Sequence, residues 1–273
     1  MGVLVSSNNI AMPAFWGTGM IKRAALAAGF TLIEMAIVLV VIGLVLSGGI
    51  VAVTPIVQNT KVSETNQKLD RIEQALILHA IRYSCLPCPA APGNASTVAT
   101  VGQAVAGGTP YTSGCQAGAC TNAQGVVPWI NLNLSETEAS DGFGTRISYA
   151  ITANLQNTDG MKRTPPAGYP AGTITVQNAA GVEVTGGVGN RAAYVLISHG
   201  KDQIYGYRAQ TGTQNAVDPT GSTVQDNNNN APPYIQDNPF LIRNATYFDD
   251  IVRWRSAPMV IQLCGANACG NPA

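Results

Sequence analysis

Residues 30–53 read FTLIEMAIVLVVIGLVLSGGIVAV, a run in which 18 of 24 side chains are hydrophobic and Glu34 is the only ionisable one. As a helix rising about 1.5 Å per residue, the run would span roughly 36 Å, enough for a hydrocarbon core of about 30 Å. The sequence therefore predicts a transmembrane helix to about residue 53. Lys22 and Arg23 stand just before the run. Positive charge at that end predicts a cytoplasmic N-terminus, a single pass and a translocated bulk.

Outward toward the N-terminus, the order of features is the reverse of an ordinary secretory signal, in which the apolar segment precedes the cleavage site. Here a short basic and small-residue stretch, IKRAALAAG, ends at Gly29, and the apolar run follows at once. Residues 1–29 are expected to be a leader, with Met20 as a true start that would give the compact form MIKRAALAAG.

The hexapeptide GFTLIE, residues 29–34, resembles the processing site of type IV prepilins and of the pseudopilins of type II secretion. The resemblance implies that prepilin peptidase cuts between Gly29 and Phe30 and methylates the new amine of Phe30. It also implies that Glu34 pairs with the N-terminal amine of an adjacent subunit, and that the chain crosses the inner membrane with its head periplasmic. A lone carboxylate in an apolar segment costs at least about 2.5 kcal/mol on insertion scales, so a partner for it is expected on physical grounds too. Gly43 and Pro55 lie where the helices of this family carry loosening residues.

Toward the C-terminus the chain turns amphipathic. In residues 56–83, Val62, Leu69, Ile72, Leu76 and Tyr83 recur at sevens, threes and fours, while Lys61, Glu64, Lys68, Asp70, Arg71 and Glu73 occupy the other face. The helix is expected to end near Ser84, since Pro87 and Pro89 follow. Beyond it, strands are expected at Thr145 to Ile151, Thr173 to Gln177, Val182 to Thr185, Ala192 to Ser198, Gln203 to Arg208, Ile251 to Trp254 and Met259 to Cys264. Long loops are expected at Ala90 to Val126 and Thr211 to Pro239. The segments LPCPA (86–90), VPW (127–129), DGFG (141–144), VLISHGKD (195–202) and FDDIVRW (248–254) resemble, in this order, pieces of pilin-like and pseudopilin-like heads.

The expected fold is accordingly α+β, the type IV pilin fold. A long N-terminal helix over 30–83, transmembrane in its first half and amphipathic in its second, packs on an antiparallel β-sheet head with long loops over 84–273.

Six cysteines, Cys85, Cys88, Cys115, Cys120, Cys264 and Cys269, are an even number in a translocated domain, which favours disulfides. The two C-x4-C pairs, Cys115 with Cys120 and Cys264 with Cys269, could each close on themselves. Cys85 and Cys88 could pair together or tie the helix end to the loop holding Cys115 and Cys120. A four-cysteine zinc site from the first four is the rival reading, since C-x2-C is a common ligand spacing.

Asp202, Asp249 and Asp250 resemble the calcium loop of major pseudopilins, and oxygen ligands suit that hard cation. The alternative makes Asp202 a turn residue and pairs Asp249 and Asp250 with Arg253 or Arg255. No other cofactor is implied.

Composition narrows the function classes. In 273 residues, Lys+Arg 15 balance Asp+Glu 15, and only 11% are charged. That balance gives no electrostatic reason to bind nucleic acid. No G-x-S-x-G, G-x4-G-K-[ST] or H-E-x-x-H motif is present, His79 reads as a packed residue and His199 as a turn residue, so no enzyme is expected. The sequence thus points to a minor pilin or pseudopilin that assembles into a type IV pilus or a type II secretion-like filament. Its partners would be prepilin peptidase, other pilin or pseudopilin subunits and an inner-membrane assembly platform. The second reading is a tip adhesin that binds through the long loops, and the third a membrane-tethered enzyme.

Overall fold

A change of periodicity occurs along one continuous helix, α1 (Leu32–Tyr83), in the computed structural model of the chain. The structure describes residues 30–162, 170–215, 228, 231–237, 248–264 and 269, with the side chains of 45–55 left aside. Residues Met1–Val51 and Ala52–Ala273 form two compact units. In the second unit, Leu69, Ile72, Leu76 and Ala80 of α1 are fully buried, as their three-and-four spacing requires of one helix face. Tyr83 is only half-buried. Ser84 adopts a φ of 60° and donates its N–H to the Ala80 carbonyl, which turns the chain out of the helix.

The head that follows is mostly β. Its strands are β1 (Ala104–Ala106), β2 (Thr109–Tyr111), β3 (Gln124–Val126), β4 (Thr145–Arg146), β5 (Ser148–Ile151), β6 (Val176–Gln177), β7 (Ala192–Ser198), β8 (Tyr207–Arg208), β9 (Tyr234–Ile235) and β10 (Ile251–Ser256). A four-stranded antiparallel sheet runs β10-β7-β5-β3, and three two-stranded pairings, β1-β2, β4-β8 and the parallel β6-β9, surround it.

Both faces of the four-stranded sheet are covered, and this explains why AAYVLIS of β7 is buried at every position instead of alternating. Tyr194 and Leu196 join Tyr149, Ile151 and the α1 residues Leu69, Ile72 and Leu76 in one hydrophobic cluster. Val195 and Ile197 point the other way into a second cluster with Val176, Tyr234 and Val252. The DGFG turn locks onto α1. Gly142 donates its N–H to Thr65 Oγ1 at 3.0 Å, and a Cβ on Gly142 would stand 2.5 Å from the Lys61 carbonyl oxygen.

These findings correct the expected fold and placement. Among the described residues no helix is long and apolar enough to cross a membrane. The transmembrane half to residue 53, the single pass through the inner membrane and the periplasmic head are therefore unsupported. The type IV pilin fold is corrected as well: the head is a β-rich body whose central sheet is enclosed on two sides, not one sheet laid along a long helix.

Smaller expectations shift too. Met259 to Cys264 is helical, part of α2 (Ala257–Leu263), because Pro258 at the first turn presets helical φ just after the β-bulge that ends β10. Residues 90–126 contain β1 to β3 and are held by bridges from Ala90 to Ala104 and Val126, so this is no loop. Thr145 to Ile151 divides between two sheets, β4 pairing with β8 and β5 with β7. Of Gln203 to Arg208 only the last two residues pair, since Gln203 and Tyr205 take positive φ. Val182 to Thr185 contributes one bridge, Gln177 to Glu183.

Candidate functional site

The start of α1 is the first candidate. Gly29 lies outside the described residues, and Phe30 stands ahead of the helix with 82% of its surface exposed. Glu34 Oε2 accepts the Thr31 N–H at 2.8 Å and its hydroxyl at 3.0 Å, while the Glu34 N–H donates to Thr31 Oγ1 at 3.3 Å. This reciprocal pair is a capping box, which satisfies two of the backbone donors left open at a helix start. The T-x-x-E spacing carries that signal, and a reading of Glu34 as a lone charge passes over it. Every described side chain from residue 30 to 44 is exposed, Leu32 at 91% and Leu44 at 68% among them. Apolar surface of this extent in water calls for a covering partner.

The cysteines form the second constellation. Cys85 joins Cys115, Cys88 joins Cys120, and Cys264 joins Cys269, leaving none free. Of the pairings open from spacing, two occur: the tie from the helix end to the 115–120 segment, and the closed pair in the tail. The first four cysteines are consumed as disulfides, so no thiolates remain for zinc. Ser84 Oγ donates to the Cys269 carbonyl at 2.8 Å, which brings the tail back to the end of α1.

The acidic group at Asp202, Asp249 and Asp250 is drawn together by the β7 and β10 edges. Gly200 (φ +57°) permits the approach, since a Cβ there would meet the Asp249 carbonyl oxygen at 2.3 Å. Asp249 Oδ2 accepts the Asp202 N–H at 2.9 Å, and Asp250 Oδ2 accepts from Asn228 Nδ2 at 2.7 Å. Burial, followed by the neighbouring Asp249 charge, pushes the Asp250 carboxyl well up. Arg253 and Arg255 pair instead with α1, Arg253 with Asp70 at 3.2 Å and Arg255 with Glu73 at 2.9 Å. Among the described residues no group of three or more His, Cys, Asp or Glu side chains is placed to hold a metal ion.

His199 is not an open turn residue. It is 1% exposed, and its Nε2 lies 2.9 Å from Ser148 Oγ, while the carboxylate of Asp141 is taken by the Phe143 and Thr145 N–H groups and by the Thr145 and Ser198 hydroxyls. A histidine and a serine thus meet, but Ser148 is also fully buried, so no substrate reaches the pair.

Burial lowers the His199 imidazole to about 4. An ordinary histidine titrates near about 6.5, so the stability contributed by this depressed group is fully present above that pH and is lost as pH falls through about 4. The loss is about 3 kcal/mol. Burial raises the carboxyls of Asp141 and Asp250, and their contribution has the opposite sign: it is present in acid and lost as pH rises. A His199→Gln chain isolates the first term. The stability gap between parent and variant in urea melts is expected to shift against the parent by about 3 kcal/mol between pH 7 and pH 4; an unchanged gap would mean that His199 is not held neutral.

Two ion pairs, each with one buried partner, are invisible to motif reading. Arg146 is fully buried and meets Glu136 at 2.7 Å, and Glu73, 5% exposed, takes both Arg255 and the Tyr194 hydroxyl. No known protein family, curated protein or solved structure matches this chain.

Proposed function

We propose that the protein is a structural assembly subunit of the minor pilin or pseudopilin kind. On this reading it is processed by prepilin peptidase between Gly29 and Phe30 and joins a type IV pilus or type II secretion-like filament through the first part of α1. The observation that carries the reading is the exposure of every described side chain from Phe30 to Leu44, a surface that copies of the same helix can bury against each other. At about 25 cal/mol per Å² of apolar surface removed from water, covering even two or three of these side chains offers several kcal/mol for association. The Glu34 carboxylate is held by the N–H and hydroxyl of Thr31, the residue next to Phe30. In the joined state the Glu34 charge is met by the Phe30 amine of the next subunit.

Mass spectrometry of the purified chain tests the reading. The mature N-terminus is expected at Phe30 with a methylated amine, and an N-terminus upstream of residue 30 would contradict it. Glu34→Ala is expected to lower incorporation into sedimentable filaments at least about tenfold, in line with the loss of a desolvated charge pair. Thr31→Ala removes the cap alone and is expected to leave incorporation within about twofold, which separates assembly from helix fraying.

A further inference from the structure

Within the second unit, residues 71–83 of α1 and the turn at 130–134 enclose an open groove of about 780 Å³. Its helical wall presents Arg71, Leu78 and Arg82 at the spacing of one helix face, and Ile130 stands opposite. Leu78 is 65% exposed and Ile130 43%, so the walls offer aliphatic surface to an incoming molecule.

Two buried polar atoms beneath this surface lack hydrogen-bond partners, His79 Nε2 and Asn131 Nδ2. Their chemistry is opposite. His79 is 4% exposed and its Nδ1 lies 3.0 Å from the Cys85 carbonyl, which can only accept, so the ring proton sits on Nδ1 and Nε2 is a bare acceptor. Burial lowers this imidazole and favours that neutral form. Asn131 Oδ1 accepts the Ala104 N–H at 2.9 Å, which orients the amide so that Nδ2 is a bare donor. A buried polar group left unmatched costs about 1–3 kcal/mol, and native structures hold few of them.

One acceptor and one donor lining the same groove match the N–H and the carbonyl of one residue in an extended segment, which point to the same side. The rest of the groove favours that match over a sugar. The Tyr83 ring, the one aromatic face available, already has His79 at 4.7 Å and the Arg82 guanidinium at 5.1 Å. The exposed aliphatic walls suit side chains, not hydroxyls. Charge selects further: Arg71 is met by Glu138 at 3.3 Å, whereas Arg82 has no carboxylate partner among the described residues.

We propose that this groove docks an extended peptide segment of a partner protein. Its N–H donates to His79, its carbonyl accepts from Asn131, its aliphatic side chains lie on Leu78 and Ile130, and its carboxylate meets Arg82. Both unmatched atoms are closed to water in the free chain, so docking rotates rim side chains aside. The inference is independent of the assembly role, because it uses no residue before Arg71.

The test takes the full chain in a non-ionic detergent against an immobilised array of pentapeptides made from Leu, Ile, Val and Ala with one Asp, followed by anisotropy titration of the best binder. Saturable binding is expected. It should weaken at least about tenfold, or about 1.4 kcal/mol, in Arg82→Glu, in Leu78→Asp and when lysine replaces the aspartate in the probe. Both altered residues are exposed, so the melting curves of the variants should overlay the parent. An array without saturable binding, equal binding by the lysine probe or by either variant, or displacement of the probe by methyl glucoside would each overturn the proposal.

Discussion

A chain with Cys85, Cys88, Cys115 and Cys120 all changed to alanine is expected to lose about 6 kcal/mol of stability, more than twice the loss from removing either disulfide alone. The reasoning is topological. The Cys85–Cys115 bond closes a loop of 30 residues and Cys88–Cys120 one of 32, but the two loops overlap. Once one bond is in place, the second closes only the short stretches 85–88 and 115–120, about 8 residues in all, and chain entropy assigns that closure about 2.5 kcal/mol. The last bond to go releases the long loop and about 3.6 kcal/mol. Urea melts of the parent, the two double variants and the quadruple variant measure all the terms. Alanine avoids placing a hydroxyl where Cys85 and Cys88 are fully buried. Losses that simply add, with each double variant costing half of the quadruple, would show that the bonds act through local packing.

Glu136→Ala is expected to cost about 3–5 kcal/mol, because it strands a charge with no access to water. Arg146 is fully buried, and Glu136 receives its Nε at 2.9 Å and Nη2 at 2.7 Å. Nη1 donates to the carbonyls of Pro92 and Asn94, at 3.1 and 2.6 Å, so the guanidinium also ties down the chain before β1. The ring of Trp129 packs 5.2 Å from the guanidinium carbon and covers it, and Gly102 in turn makes room for the indole, since a Cβ there would fall 2.0 Å from it. Burial raises the Glu136 carboxyl, but hydrogen bonds from Ser96 and Arg146 outweigh this and hold it below the usual carboxylate range. Glu136→Ala combined with Arg146→Met removes both charges and is expected to recover part of the loss. Tryptophan fluorescence, to which Trp129 contributes beside Trp16 and Trp254, follows the transition. A Glu136→Ala cost under about 1 kcal/mol would mean that water reaches Arg146.

What the sequence made legible follows from which forces act locally. The burial of Leu69, Ile72 and Leu76 shows in their spacing, since helix periodicity is a short-range pattern. β7 is equally plain, a run of apolar and aromatic residues bounded by Arg191 and His199. β1 and β2 are not, because GQAVAGGTPYT has the composition of a loop, and its two short strands pair with each other and are held by bridges to Ala90 and Cys120. The apolar run at 30–53 is plain in the hydropathy, but its described side chains at 30–44 are exposed, and hydropathy does not distinguish a lipid from a protein neighbour. Arg146 reads as an ordinary strand residue, since its partner Glu136 is defined by the fold of the turn before it. Tertiary charge pairing leaves no periodic trace.

The hydrogen bond from Ser84 to Cys269 has a mechanical meaning. The polypeptide leaves α1 at Ser84 and, after building the whole head, returns to touch the same residue. A pull between α1 and residue 269 therefore loads this hydrogen bond together with the Arg253–Asp70 and Arg255–Glu73 pairs that tie β10 to α1. The Cys264–Cys269 disulfide ties residue 269 to the end of α2.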